Sequence, residues 1–392
     1  MEINKNRIYS LDLLRGLVMI IMALDHTRDF FHFDAFAHDP LDLHTTSVYL
    51  YFTRWITHFC APVFVFLAGT SVYLQGLTKN KNELTSFLFK RGVWLIFIEL
   101  IVISFAWTFD FTFEALVIQV IWAIGISMFL MGLIVHLPFK IILAAGVAIA
   151  FGHNIFDFIE NTHHGFWWDL LRNGNFATHA IDESHKLVII YPFVPWLGLM
   201  MLGYCFGKIY EPSFHSTRRK KILMQAGFGL IVFFILLRFL NIYGNPFQWS
   251  VLNNLLFTIL SFLNVHKYPP SLLFMCITIG PALLFLSVFE NSNNKLTRAI
   301  TIYGRVPFFY YVLHFYMLHI LCMILFLSRG HSISEATPPI FGIPFRFMIS
   351  GEGYSLTIVY VIWISLVLAL YPLCKWFSEY KKKKSYWWLS YL

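Results

Sequence analysis

Between Ala23 and His32 the chain reads Ala-Leu-Asp25-His26-Thr-Arg28-Asp29-Phe-Phe-His32, at the end of an otherwise apolar stretch. On a helix, residues spaced i, i+3, i+4 and i+7 share one face. Asp25, Arg28, Asp29 and His32 therefore make one ionisable stripe, with His26 beside it. Arg54 and His58 carry the i, i+4 spacing into the next apolar run. If the two runs are antiparallel neighbours, Arg54 and His58 reach the depth of Asp25 and Asp29. A carboxylate beside His26 or His58 would raise its basicity and fix its tautomer, as a general base requires. The plainer alternative makes Arg28–Asp29 and Asp25–Arg54 structural ion pairs at a helix end. A third candidate group lies at 304–319, where Tyr311 and His314 share a helix face while His319, five residues on from His314, diverges. There the plainer reading is a buried histidine bonded to a neighbouring tyrosine.

The elements that must position these groups are membrane helices. Of 392 residues, 58% are hydrophobic and only 13% charged, whereas a soluble domain carries about 25% charged residues. Mean hydropathy is +0.65. Apolar runs sit near 11–31, 52–75, 92–109, 115–135, 141–158, 188–209, 222–240, 270–289, 306–327 and 355–374. The expectation is an all-α, polytopic bundle of ten transmembrane helices forming a single domain in a lipid bilayer. Leu11 to Asp25 is about 21 Å of helix at ~1.5 Å per residue, so a hydrocarbon core of about 30 Å still encloses Asp25 and His26. Charge kept at that depth usually faces a cavity and marks a functional site.

With the N-terminus cytoplasmic, ten spans place most of the 29 basic residues on the inner side. They include Lys5, Arg7, Arg15, Arg91, Lys140, the Arg218–Lys221 run, Arg305 and Lys381 to Lys384. This is the positive-inside pattern, so the net charge of +8 reports membrane orientation rather than nucleic-acid binding. Both termini are then cytoplasmic. The apolar segment 248–263 would send later basic groups outside if it crossed, so an interfacial helix suits it better. The outer segments are acidic and histidine-bearing: 32–51 with Asp34, His38, Asp39, Asp42 and His44, and 159–187 with Glu160, His163, His164 and Asp169. Segment 328–354 is rich in Gly, Pro and Ser. Substrate is expected on that outer side, where loops have room to build a pocket. The apolar start reads as a retained anchor, since no small-x-small cleavage site follows it. The lack of any Asn-x-Ser/Thr sequon favours a bacterial inner membrane.

Several chemistries lack their motifs. There is no H-x-x-x-H, G-x-x-x-x-G-K-[ST] or G-x-S-x-G, which argues against zincin, nucleotide-loop and serine-hydrolase readings. Cys60, Cys205, Cys276, Cys322 and Cys374 are dispersed, with no C-x-x-C pair to suggest disulfides or zinc. No metal is expected.

Taken together, Arg7-x-x-Ser10-Leu-Asp12-x-x-Arg15-Gly16, Asp25-His26, Thr53-Arg54-Trp55-x-x-His58-Phe-Cys-Ala-Pro62 and Tyr191-Pro-x-x-Pro195-Trp-x-Gly198 resemble the heparan-alpha-glucosaminide N-acetyltransferase family. Gly304-Arg305-x-Pro307 with His314, and the tail from Tyr371-Pro372 to Trp387-Trp388, resemble its bacterial branch. The resemblance implies a transmembrane acetyltransferase that takes acetyl-CoA from the cytosol and delivers acetyl to a sugar amine or hydroxyl outside. It implies His26 or His44 as the base that deprotonates the acceptor, with Asp25 orienting the imidazole. His58 and Arg54 would polarise the thioester or hold the acceptor alongside Arg28, Asp29, Tyr311 and His314. Arg15, Arg91 and Arg305 would contact the CoA phosphates. His26 stands where the animal enzymes have an asparagine, and His44 rather than His38 is chosen for their loop histidine. Transfer is direct or through an acetyl-histidine, and a homodimer is left open. The different-class alternative is a transporter or flippase using the same polar cavity without CoA. A closer rival is the bacterial acyltransferase family that O-acetylates surface polysaccharides.

Overall fold

A computed structural model describes residues 7–158, 165–336, 345–349, 351–384 and 386–391. Lys5, Glu160, His163, His164 and the 337–344 part of the third outer segment lie outside the described residues. The chain is mostly helical and forms two compact units, each discontinuous in sequence: Met1–Cys60, Ile101–Ala115 and Asn291–Leu392 in the first, Ala61–Leu100 and Leu116–Glu290 in the second.

Each of the ten apolar runs is mainly helical, but among the described residues six helices are both long and apolar enough to cross a membrane. These are Val48–Gly76, Phe139–Phe158, Phe193–Tyr210, Ser216–Leu240, Pro307–Ser328 and Leu356–Lys383. The other four differ for physical reasons. Tyr9–Phe31 has the length, at 23 residues, but carries Asp12, Arg15, Asp25, Arg28 and Asp29. Lys81–Ile98 bears Lys81, Glu83, Lys90 and Arg91 over its 18 residues. Val120–Ile134 and Leu272–Val288 are apolar but shorter. The first of these two begins late because residues 115–118 are strand rather than helix.

In the first unit Tyr9–Phe31 crosses Lys295–Arg305 at a glycine pair. A Cβ on Gly16 would lie 2.1 Å from Ile300 O, and one on Gly304 would lie 1.8 Å from Asp12 O. Only paired glycines allow backbones this close, the small-residue packing common between membrane helices. The helices Pro307–Ser328 and Leu356–Lys383 complete the packing around Tyr9–Phe31. Trp363 Nε1 donates to Ile20 O at 2.8 Å, and Cys60 Sγ to Val18 O at 3.4 Å. Pro307 occupies the first turn of its helix, where its missing N–H has no partner to lose.

The second unit pairs Lys81–Ile98 with Val120–Ile134, Phe139–Gly152 with Phe193–Phe206, and Ser216–Leu240 with Leu272–Val288. Strand Ala177–Ala180 pairs antiparallel with Lys186–Ile189, Thr178 opposite Val188. Ile190 N then donates to Ile118 O at 3.1 Å, and the sheet order puts Lys186–Ile189 in the middle. In segment 248–263 only Leu255–Leu263 is helical, nine residues, about 14 Å at ~1.5 Å per residue and too short to span. Its C-terminal end is gathered by Arg238, 2% exposed. That guanidinium donates to Phe262 O (2.9 Å), Phe247 O (2.8 Å), Ser261 O (3.0 Å) and Asn264 O (2.7 Å). The last turn of a helix leaves its carbonyls without intrahelical donors, and Arg238 supplies them.

Candidate functional site

The polar end of Tyr9–Phe31 is the most heavily charged buried region of the first unit. Arg54 Nη1 approaches Asp25 Oδ2 at 2.5 Å, and Arg28 Nη2 reaches Asp25 Oδ1 at 3.1 Å and also pairs with Asp29. Two carboxylates thus face two guanidiniums, and the quartet is balanced in charge. Arg54 Nη1 also donates to Thr57 Oγ1 at 3.3 Å. This fixes the guanidinium to the turn Thr57–Phe59, which joins Val48–Ile56 to Cys60–Gly76. His58 lies in that turn and is 1% exposed. Ion pairs held out of water repay their desolvation only with good geometry, and here Arg54 hydrogen-bonds Asp25 Oδ2 and Arg28 hydrogen-bonds Asp29.

Arg28 differs from an ordinary buried partner. Its side chain is 6% exposed, yet Nε and Nη1 find no acceptor among the described residues. Nη2 is committed to the carboxylates, while Nε and Nη1, on either side of it, keep N–H donors. Because Asp25 and Asp29 already balance Arg28 and Arg54, those donors suit a neutral oxygen, a carbonyl or hydroxyl, better than a further anion.

His26 faces the Pro307–Ser328 helix. Its Nδ1 lies 2.7 Å from His314 Nε2, and the two rings are nearly coplanar, 12° apart. Tyr311 meets His26 edge-on at 6.2 Å, and Phe315 packs at 4.4 Å. His314 is fully buried and directs its Nδ1 to Tyr310 O at 3.0 Å, so its tyrosine contact is to the backbone rather than to a hydroxyl. The histidine pair joins residues 288 positions apart, and no local spacing could have announced it. His319 turns away, as the five-residue spacing implies. Its Nδ1 approaches Ala106 O at 2.7 Å and its Nε2 Arg346 O at 3.0 Å.

One expectation changes. His32 is not on the ionisable stripe, because the helix ends at Phe31 and His32 is extended, with φ −75° and ψ 136°. The chain leaves the helix there to pair with 353–354: Phe33 N donates to Tyr354 O at 3.1 Å, and a Cβ on Gly353 would sit 2.2 Å from Phe33 N. His44 is exposed on the 33–47 loop, with its backbone N–H donating to Asp42 Oδ1 at 3.0 Å, and its ring is not brought into the quartet. Beside the helix end, Phe31, Cys322, Phe326, Phe347, Arg329 and Glu352 line a half-open pocket of about 460 Å³, part of it open to solvent.

At the opposite end of Tyr9–Phe31 the Gly16–Gly304 crossing brings basic groups together. Asp12 binds Arg7 Nε at 2.7 Å and Arg15 Nη1 at 3.0 Å. Arg7 Nη2 donates to Arg305 O at 3.1 Å, and Lys382 lies within the field of both Arg305 and Arg7. Of the residues expected at phosphates, Arg15 and Arg305 are therefore brought together. Arg91 lies on Lys81–Ile98 in the second unit. Among the described residues no three His, Cys, Asp or Glu side chains come together as a metal site.

Residues 7–245 match the family model described as heparan-alpha-glucosaminide N-acetyltransferase, catalytic. No curated protein matches the chain.

Proposed function

From the premise that the chain belongs to the heparan-alpha-glucosaminide N-acetyltransferase catalytic family, and so is a transmembrane acetyltransferase, we propose that it moves acetyl from cytosolic acetyl-CoA to an amine or hydroxyl of an extracytoplasmic glycan. The whole chain serves as one acyltransferase domain, with ten spans and both termini cytoplasmic, in a bacterial inner membrane. The observation that carries the reading is the pairing of Asp25, Arg28, Asp29 and Arg54 beside the His26–His314 contact. A charge-balanced polar site with a histidine at its edge is what acyl transfer between neutral groups needs.

His26 takes the proton of the acceptor N–H or O–H while the acceptor's lone pair bonds to the acetyl carbonyl carbon. The C–S bond breaks, CoA sulfur leaves with the electron pair, and the proton passes from His26 to the sulfur. Atoms and charge balance as acetyl-CoA plus acceptor giving CoA thiol plus acetylated acceptor. Preorganised donors aimed at the developing oxyanion are the strongest lever in such reactions, and the uncommitted Nε–H and Nη1–H of Arg28 are donors of that kind. Arg54 and His58 hold or polarise the reacting groups. Asp29 and Tyr311 line the acceptor. Arg15 and Arg305 bind the CoA phosphates as charged clamps.

The deciding experiment uses the full chain in lipid nanodiscs with acetyl-labelled acetyl-CoA and a panel of hexosamines and hexoses. Label transferred to a sugar, with free CoA thiol released in equal amount, is the expected result. The absence of both acetyl transfer and a thermal shift with acetyl-CoA would remove the reading. Mass analysis of the product as amide or ester then separates N- from O-acetylation.

A further inference from the structure

The hydrogens on the histidine pair can be assigned from the acceptor at its far end. His314 Nδ1 is 3.0 Å from Tyr310 O. A carbonyl oxygen offers lone pairs and no hydrogen, so His314 Nδ1 carries the proton. In a neutral imidazole the other nitrogen then holds the lone pair, which places it on His314 Nε2. His26 Nδ1 is 2.7 Å from that atom. Two nitrogen lone pairs at that separation would repel, so His26 Nδ1 must be the donor. With Nδ1 protonated, the lone pair of neutral His26 is on Nε2.

We propose that His314 is a positioning residue that locks His26 in its Nδ1–H tautomer and makes His26 Nε2 the atom that accepts the acceptor's proton. The inference rests on the reading of His26 as the base given above. The surroundings hold the arrangement in place. His314 is fully buried, its ring lies nearly parallel to that of Tyr310, at 5.3 Å and 11°, and it is joined edge to edge and nearly coplanar with His26, centroids 5.0 Å apart. His26 is further held by Phe315 and Tyr311. The ring that accepts from His26 therefore has little freedom to turn.

An imidazole in this place acts differently from a carboxylate. Asp25 is engaged by Arg54 and Arg28, so the role of orienting His26, assigned to Asp25 from the sequence, passes to a neutral ring. A neutral partner fixes direction without adding a buried charge. When Nε2 gains a proton, the cation can spread over both rings, because the hydrogen between them can shift toward His314 with every heavy atom in place. His314 Nδ1 keeps its carbonyl in either state.

The test is solid-state NMR of the full chain in lipid bilayers with 15N-labelled histidine, with His26→Ala and His314→Leu as assignment variants. At neutral pH we expect His26 to carry its hydrogen on Nδ1 with Nε2 unprotonated, and a through-bond 15N–15N coupling between the rings. A hydrogen on His26 Nε2 in the wild-type chain overturns the proposal, whether or not any variant folds. In acetyl transfer, His314→Gln, whose amide oxygen can accept from His26 Nδ1, should keep kcat within about 10-fold of wild type, while His314→Leu should lose about 100-fold, on the scale of general-base effects. KM for acetyl-CoA should change little in either variant. Equal losses in the Gln and Leu variants would also overturn it. If the wild-type chain transfers no acetyl at all, the acetyltransfer reading fails while the NMR arm still decides the tautomer.

Discussion

Two buried arginines, one in each unit, are solved in opposite ways. Arg238 spends its guanidinium on four backbone carbonyls around the end of Leu255–Leu263. Arg28 commits one nitrogen to Asp25 and Asp29 and leaves Nε and Nη1 without acceptors among the described residues. A cation saturated by backbone holds a shape. A cation clamped by carboxylates at one nitrogen, with donors left on the other two, has hydrogen bonds for something else to use. The difference separates scaffold from chemistry more sharply than burial does, since both side chains are almost entirely out of solvent.

The hardest test of that contrast is His26→Ala, next in the chain to Asp25. Acetyl transfer should fall by about 10²–10⁴-fold, the range for losing a general base, with the detergent melting temperature within a few degrees of wild type. Near-normal activity would leave the quartet as a structural ion-pair cluster. The converse test is Arg238→Met, which strands several carbonyls and should cost about 3 kcal/mol or more at ~1–3 kcal/mol for each unsatisfied buried group. The readout is a lower melting temperature in detergent. If Arg238→Met instead spared stability and removed activity, the assignment of scaffold and chemistry would reverse.

Arg28→Lys sharpens the same comparison. Lysine keeps the charge facing Asp25 and Asp29 but lacks the planar fork. Transfer should drop about 10- to 100-fold, the value of a charge-assisted hydrogen bond at ~1.5–3 kcal/mol, with the melting temperature little changed. A smaller effect belongs to the basic end of the first helix. Arg305→Ala should raise KM for acetyl-CoA about 5-fold and leave kcat unchanged, and the penalty should shrink with salt as phosphate contacts are screened. A change confined to kcat would move Arg305 out of the nucleotide site.

How far the sequence could be read follows from the same physics. Helical periodicity put Asp25, Arg28 and Asp29 on one face, and the spacing of the first two runs brought Arg54 to Asp25. These are local facts, one turn or one helix hairpin apart. Gly16 and Gly304 stand in recognisable motifs, but their crossing depends on backbone approach, which no periodicity reports. The His26–His314 contact lies beyond local reading, because a helix face says that a neighbour exists and not which helix supplies it. His32 was misplaced because the stop at Phe31 is imposed by pairing with Tyr354, more than three hundred residues on in the chain. The runs were legible as helices, whereas the helical part of 248–263 ends with its carbonyls on an arginine that composition cannot single out.

The contrast between saturated and poised groups extends to the imidazoles, and there it predicts a pH effect. His331, outside the membrane-spanning helices, turns Nε2 to Glu352 Oε2 at 2.8 Å and Nδ1 to Glu335 Oε2 at 3.1 Å. Both partners are carboxylates, so only the imidazolium satisfies both. Glu352 first and then Glu335 hold the His331 pKa above its ordinary 6.5. Ser332 first and then His331 hold Glu335 below its ordinary 4.5. A raised histidine contributes stability that is complete below pH 6.5 and fades as pH climbs through its folded value. A depressed carboxylate contributes above pH 4.5 and fades as pH falls through its own. The His331 bridge should therefore be strongest between about pH 4.5 and 6.5 and weaken toward pH 8. Hydrogen exchange at 351–354, after correction for the intrinsic pH dependence, should rise across that upper limb in the wild-type chain. In His331→Gln the limb should be absent. The bridge is partly exposed, so the change is the smallest of the series, and a limb that survives in His331→Gln would assign it to another group.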